Sequence, residues 1–180
     1  NASELHIVRA LSTEDIDIPR FEGHLQHNIR VISRDIPQAD SLERVLEFAE
    51  LLIQYPSSPS TVRQQFSEIA GIVDRQVSYY RRAAEILGLV DDRQRPTTAC
   101  YGLCRLQRPE QKMRFLAHQF ISSNVGVAWF NWQNANDLSQ LQPETAVEFL
   151  RAVCPSLSET TIQRRAYTLK SWLNVFLKDW

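Results

Sequence analysis

From residue 40 onward, apolar side chains return every three or four positions, the spacing that lines one face of an α-helix, and this predicts a mainly α fold. Leu42, Val45, Leu46, Ala49, Leu52 and Ile53 form the first stripe. Asp40-Ser41-Leu42-Glu43 marks its start, because a side-chain oxygen there can accept from free first-turn amides while Glu43 reaches back. Pro56 and Pro59 stop it. Ser60 is placed to cap a second helix through Phe66, Ile69-Ala70-Gly71 reads as a turn, and Asp74 is placed to cap a third helix ending at Gly88. Two helices, a glycine-containing turn and a further helix make the helix-turn-helix pattern. After it, Leu89-Val90 predicts a short strand, residues 91–96 a polar turn, and residues 98–106 a returning strand broken at Gly102. That β-hairpin would be the wing of a winged helix.

The first 39 residues lack this period. Leu5-His6-Ile7-Val8 and Ile29-Arg30-Val31-Ile32 are β-prone runs separated by an acidic stretch containing Pro19, and they predict a small sheet edge or the tail of a preceding domain. The C-terminal part carries a weak repeat of the middle. Arg81-Arg82-Ala83 returns as Arg164-Arg165-Ala166, an offset of 83 that also lays Tyr79, Ile86 and Val90 on Ile162, Leu169 and Leu173. Thr61 then falls on Glu144, just after Pro143 at a favoured first-turn position. A second helix-turn-helix unit is implied, with helices over residues 111–122, 127–132 and 143–153, a turn at residues 154–157 and a last helix from residue 158 to about 177. The predicted organisation is an N-terminal segment (1–39), a winged-helix domain (40–108) and a second helical unit (109–180).

Composition is that of an ordinary globular chain: 43% hydrophobic, 23% charged, mean hydropathy -0.32. No apolar run is long enough to cross a bilayer, and no secretory leader is visible. The chain does not begin with Met and is expected to be a piece of a longer protein. Three cysteines, Cys100, Cys104 and Cys154, are an odd number in a chain large enough to fold without staples, which points to a reducing cytoplasm. Cys100 and Cys104 have no second Cys or His pair at zinc-site spacing, so no metal is assigned. The net charge of -1 hides a segregation. Residues 1–74 hold six Arg against twelve acids, residues 75–124 nine Arg or Lys against four, and residues 125–180 five of each. Of the 20 positive charges, 17 are Arg, whose planar fork suits phosphate oxygens and guanine edges.

If Tyr79, Ala83, Ile86 and Leu87 face a core, the third helix presents Ser78, Arg81, Arg82 and Glu85 on its other side. The equivalent positions of the second unit are Thr161, Arg164, Arg165 and Thr168. A hydroxyl followed three and four residues later by two arginines suits a helix entering a DNA groove, where hydroxyl and guanidinium bond phosphates and a second guanidinium reaches a base edge. Arg75 lies at the N-terminal end, where base contacts concentrate, and Arg93 and Arg95 lie on the expected wing. The bland reading of each Arg is a surface ion pair, such as Arg81 with Glu85. Glu110-Gln111-Lys112 matches half of a metal-dependent nuclease motif but follows Pro109 and opens a helix, so it reads as a first-turn acid. No phosphate-binding glycine loop, nucleophile elbow or zinc-protease motif occurs. No catalytic residue or cofactor is assigned. His118 reads as packed, and Trp129, Phe130 and Trp132 as packing between the two units rather than base stacking.

Residues 41–48, Ser-Leu-Glu-Arg-Val-Leu-Glu-Phe, with residues 74–90, which contain Tyr79-Tyr80-Arg81-Arg82-Ala83-Ala84-Glu85-Ile86-Leu87-Gly88-Leu89, resemble a winged-helix domain of bacterial type II restriction endonucleases and related restriction-modification proteins. Residues 161–173 resemble the closing helix of that module, and the likeness covers about residues 40–177. It departs after the wing, where Cys100 to Cys104 replaces the family's Leu-Thr turn. The resemblance implies target-site recognition on duplex DNA, with cleavage by a nuclease domain elsewhere in the parent chain. The expectation is a non-catalytic, cytoplasmic DNA-recognition module able to pair as a homodimer. Its alternatives are a winged-helix protein-interaction or dimerisation module, a transcription regulator, or a nuclease acting through Glu110.

Overall fold

Ser41 opens the first helix by accepting the Arg44 N–H at 3.2 Å while its own hydroxyl donates to the Glu43 carboxylate at 3.0 Å. The computed structural model describes residues 29–178 and Trp180. Among them are eight α-helices: α1 (Leu42–Gln54), α2 (Pro59–Ala70), α3 (Asp74–Ile86), α4 (Thr98–Arg105), α5 (Pro109–Ile121), α6 (Asn124–Gln133), α7 (Ala146–Val153) and α8 (Glu159–Lys178). The protein is mainly α. The expected run at residues 5–8 lies outside the described residues.

Local chemistry explains most boundaries. On α1, Leu42, Val45, Ala49 and Leu52 of the expected stripe are buried, but Phe48 and Leu51 join them while Leu46 and Ile53 are only partly covered. Pro59, rather than a cap at Ser60, begins α2, where its fixed φ and missing N–H cost nothing. Gly71 ends α2 at φ 63°, a left-handed conformation that glycine takes without a Cβ penalty. Val73 occupies the cap position of α3, its N–H donating to the Gln76 side-chain oxygen at 3.2 Å, so Asp74 is the first helical residue instead of the cap.

The expected wing is not supported. Val90 and Pro96 form one isolated antiparallel bridge, and no strand occurs among the described residues. Asp91 gathers the loop by accepting the backbone N–H groups of Arg93 and Arg95 at 2.9 and 2.8 Å. The returning strand is instead α4, because Thr97 acts as a cap. Its hydroxyl accepts from Cys100 at 3.3 Å and donates to the Gly88 carbonyl at 2.6 Å. Cys100 and Leu103, three apart, are then buried, with the Cys100 thiol 3.6 Å from the Ala49 carbonyl of α1.

Ile29-Arg30-Val31-Ile32 is not a strand either. Residues 31–39 run as a strap, with one 3-10 turn at Ser33–Asp35, that packs against the C-terminal helices. The Cys154 thiol donates to the Val31 carbonyl at 3.4 Å and the Trp172 indole N–H to the Ala39 carbonyl at 2.8 Å. Val31, Ile36 and Ala39 are buried in the cluster that also holds α1 and α8, so the fold begins before residue 40. Phe48, Phe66 and Tyr80 pack edge to face at the N-terminal end of that cluster. At the other end, Trp129 stacks on Phe149 at 5.5 Å, and Phe120 meets Trp129, Trp172 and Phe176. Both sets belong to one continuous core.

Candidate nucleic-acid interface

Burial of Val77, Tyr80, Ala83 and Ala84 turns the opposite side of α3 outward, and four of the expected contact residues share that side. Arg75 is exposed, its Nε donating to the Tyr79 hydroxyl at 2.8 Å. The Ser78 hydroxyl donates to the Arg75 carbonyl at 2.6 Å, which leaves its oxygen able to accept. Arg81 and Arg82, with about a third of each side chain exposed (33% and 35%), both reach the Glu85 carboxylate, Arg81 at 2.6 Å. The helical ion pair anticipated for Arg81 therefore exists, and it takes in Arg82 as well.

The loop after α3 brings its two arginines to different ends. Arg95 is held by Asp91, whose Oδ2 accepts its Nε and Nη2 at 3.1 and 2.9 Å. The backbone N–H and guanidinium of Arg95 hold that carboxyl below the usual range. Arg93 is exposed, and its guanidinium has no partner among the described residues.

The second unit does not repeat this arrangement. Arg164 is exposed and donates to the Gln38 side chain of the strap at 3.2 Å, while the Thr161 hydroxyl shares a hydrogen bond with Ser158 at 2.9 Å. Arg165 is only 7% exposed. Its Nη1 donates to the Ser33 carbonyl, its Nε has no partner among the described residues, and burial pushes its guanidinium pKa down. Arg165 therefore belongs to the interior and not to a DNA-contacting surface. The reason is helical phase: position 165 lies three after Ile162 and four before Leu169, inside the buried stripe of α8.

Two arginines outside the expected set join the surface. Arg63 of α2 is exposed and donates to Asp74 at 3.2 Å, and Arg34 of the strap borders the same cleft as Arg81 and Arg82. Arg63 is legible in α2 as an exposed position next to buried Val62, whereas nothing local marks Arg34.

Elsewhere the groups with chemical potential are held in packing. Lys112, in the first turns of α5, donates to Glu50 of α1 at 3.1 Å. His118 lies against the Trp180 ring at 5.1 Å, and burial lowers its pKa from 6.5. Trp129 and Phe130 are fully buried, and Trp132, 42% exposed, lies 5.9 Å from the Phe149 ring. The Cys104 thiol and burial together push the Cys100 thiol up. All three cysteines are free, and no cluster of three or more metal-ligating side chains occurs among the described residues. None of the described helices is long and apolar enough to cross a membrane.

A domain of unknown function, DUF7226, matches residues 44–179, and the chain belongs to that family. No curated protein and no solved structure matches the chain.

Proposed function

We propose that this member of the DUF7226 family binds duplex DNA through the outward face of α3, as the target-site recognition module of a restriction-type protein whose nuclease lies elsewhere in the parent chain. The observation that carries the reading is the grouping of Arg75, Ser78, Arg81 and Arg82 on the outward, partly exposed side of α3, with Arg63 of α2 bound to Asp74 at the N-terminal end of that helix. In this reading α2, the turn at residues 71–73 and α3 act as a helix-turn-helix, with α3 entering the major groove by its N-terminal end. Arg75 is then nearest the base edges, and Ser78, Arg81 and Arg82 bond phosphates. α7, the turn at residues 154–158 and α8 form a second unit of the same pattern, from which Arg164 and Thr161 offer backbone contacts.

The test is a fluorescence-anisotropy titration of a labelled duplex over a range of salt concentrations. Arg81→Ala with Arg82→Ala should weaken binding more than about tenfold and flatten the dependence of log affinity on log salt by about 2, one for each phosphate no longer neutralised. Unchanged affinity and slope would remove both residues from the interface.

A second reading, a protein-interaction or dimerisation module, has its own support. Ile69 and Val73, on either side of the α2–α3 turn, are 63% and 65% exposed, and large apolar side chains so placed suit contact with another protein. Light scattering separates the two readings: a salt-insensitive dimer without affinity for duplex DNA favours the second.

A further inference from the structure

A cleft of about 340 Å³ lies between the N-terminal turn of α2, the middle of α3 and the loop after it, a size within the range of small-molecule sites. Its floor is apolar, formed by Phe48, Val62 and Val77, which are buried in the core. Its rim is polar and carries Arg63, Ser78, Arg81 and Gln94. Among the described residues, no carboxylate lines it.

Both guanidinium groups are steadied from outside the cleft. Arg63 gives its Nε–H to Asp74, and Arg81 gives an Nη1–H to Glu85, neither carboxylate being a lining residue. The remaining N–H groups of both have no partner among the described residues. Gln94 reaches the rim from a backbone with φ 60°, a left-handed conformation unusual for a side chain of its size, held by its N–H to the Asp91 carbonyl at 3.0 Å. The neighbouring cleft, with Arg34, Arg81 and Arg82, is faced by Asp35, Glu85, Asp91 and Asp92, and so presents an anion with as much repulsion as attraction.

We propose that the first cleft binds a small amphipathic anion: an organic carboxylate whose apolar body covers the floor and whose head is held by Arg63 and Arg81. A cationic rim over an apolar floor selects this chemistry, because a free inorganic anion leaves the floor wet and a neutral hydrophobe leaves the guanidinium groups without a counter-charge. The proposal goes beyond DNA binding and does not depend on it.

The probe is 2-naphthoate, titrated into the full chain carrying ¹³C-labelled valine methyl groups, with naphthalene-2-carboxamide as the neutral control. A ligand of this size permits a dissociation constant on the order of 1 mM. The methyl signals of Val62, Val77 and Val90 should shift, those of Val125 and Val127 in α6 should not, and the carboxamide should bind at least about tenfold more weakly. Arg81→Gln and Arg63→Gln should each weaken naphthoate about tenfold, with Arg81→Lys retaining more affinity than Arg81→Gln and unshifted α6 signals confirming that each variant is folded. Equal binding of the carboxamide, shifts spread to α6, indifference to both Gln substitutions, or no shift by about 10 mM would each overturn the proposal. No DNA is present, so its failure is distinct from failure of the DNA-binding reading.

Discussion

Replacing Glu85 by Gln separates two effects of its carboxylate. That carboxylate accepts an N–H from Arg81 at 2.6 Å and another from Arg82, and with 17% of its side chain exposed it lies at the edge of the surface assigned to DNA. A phosphate bonded to either arginine would sit about 7 Å from it, where like charges repel by ~0.6 kcal/mol at the dielectric constant of water and by ~2 kcal/mol at an effective value near 20. Screening over a Debye length of about 8 Å at physiological salt reduces both figures. Glu85→Gln should therefore tighten duplex binding by about three- to tenfold, since 1.4 kcal/mol is about a factor of ten. Folding stability should move the other way, because two helix-surface ion pairs worth about 0.5 kcal/mol each disappear. Anisotropy at fixed salt reports the first effect and urea denaturation the second. A variant that loses stability but binds duplex equally or less well would refute the reasoning. It would mean that Arg81 and Arg82 serve α3 itself and do not meet phosphate.

Three further outcomes follow from the packing. Gly126→Ala should destabilise the fold by about 3 kcal/mol in urea denaturation, because a Cβ there would lie 1.9 Å from the Phe120 carbonyl oxygen, a backbone atom that cannot swing away. Arg165→Met should leave stability unchanged or raise it by up to ~2 kcal/mol, since it removes a buried charge with an unpartnered Nε, and should leave duplex affinity within about twofold. A loss of affinity in a folded variant would place Arg165 back at the surface. His118 has a folded pKa below 6.5, so the unfolded chain takes up more protons between the two values, and stability should decline as pH falls from 6.5 through the folded pKa. His118→Phe should flatten the thermal-melting profile over that window relative to the parent, and an unchanged slope would assign it to other groups.

Legibility in the sequence varies with the reach of the forces involved. Caps and apolar spacing act within a few residues, so α1 and α8 lie close to their expected limits, and the turn at Gly71 is present. Residues 98–106 mislead because two patterns compete there. β-prone composition suggests a strand, while Cys100 and Leu103 at helical spacing find a buried face against α1 only in the folded chain. On α3 the phase expected from Tyr79 and Ile86 is turned, since Val77 and Tyr80 are buried while Tyr79 and Ile86 are only partly so, and Arg81 comes to lie at the border of the buried side. On α8 helical phase places Arg165 inside, and the repeat with residues 81–83 obscures it.

Periodicity, proline and glycine positions, and hydroxyl caps by themselves determined a helical chain with its main breaks, since each is settled by neighbours within one or two turns. Tertiary structure alone decided that Val31, Ile36 and Ala39 belong to the core, that Arg165 points inward and that Arg63 joins Arg81 across one cleft. The partners concerned lie far apart along the chain, 132 positions for Arg165 and Ser33 and 133 for Trp172 and Ala39. Such pairs form only when burial of the whole apolar cluster outweighs the entropy of closing so long a loop, and no local pattern carries that balance.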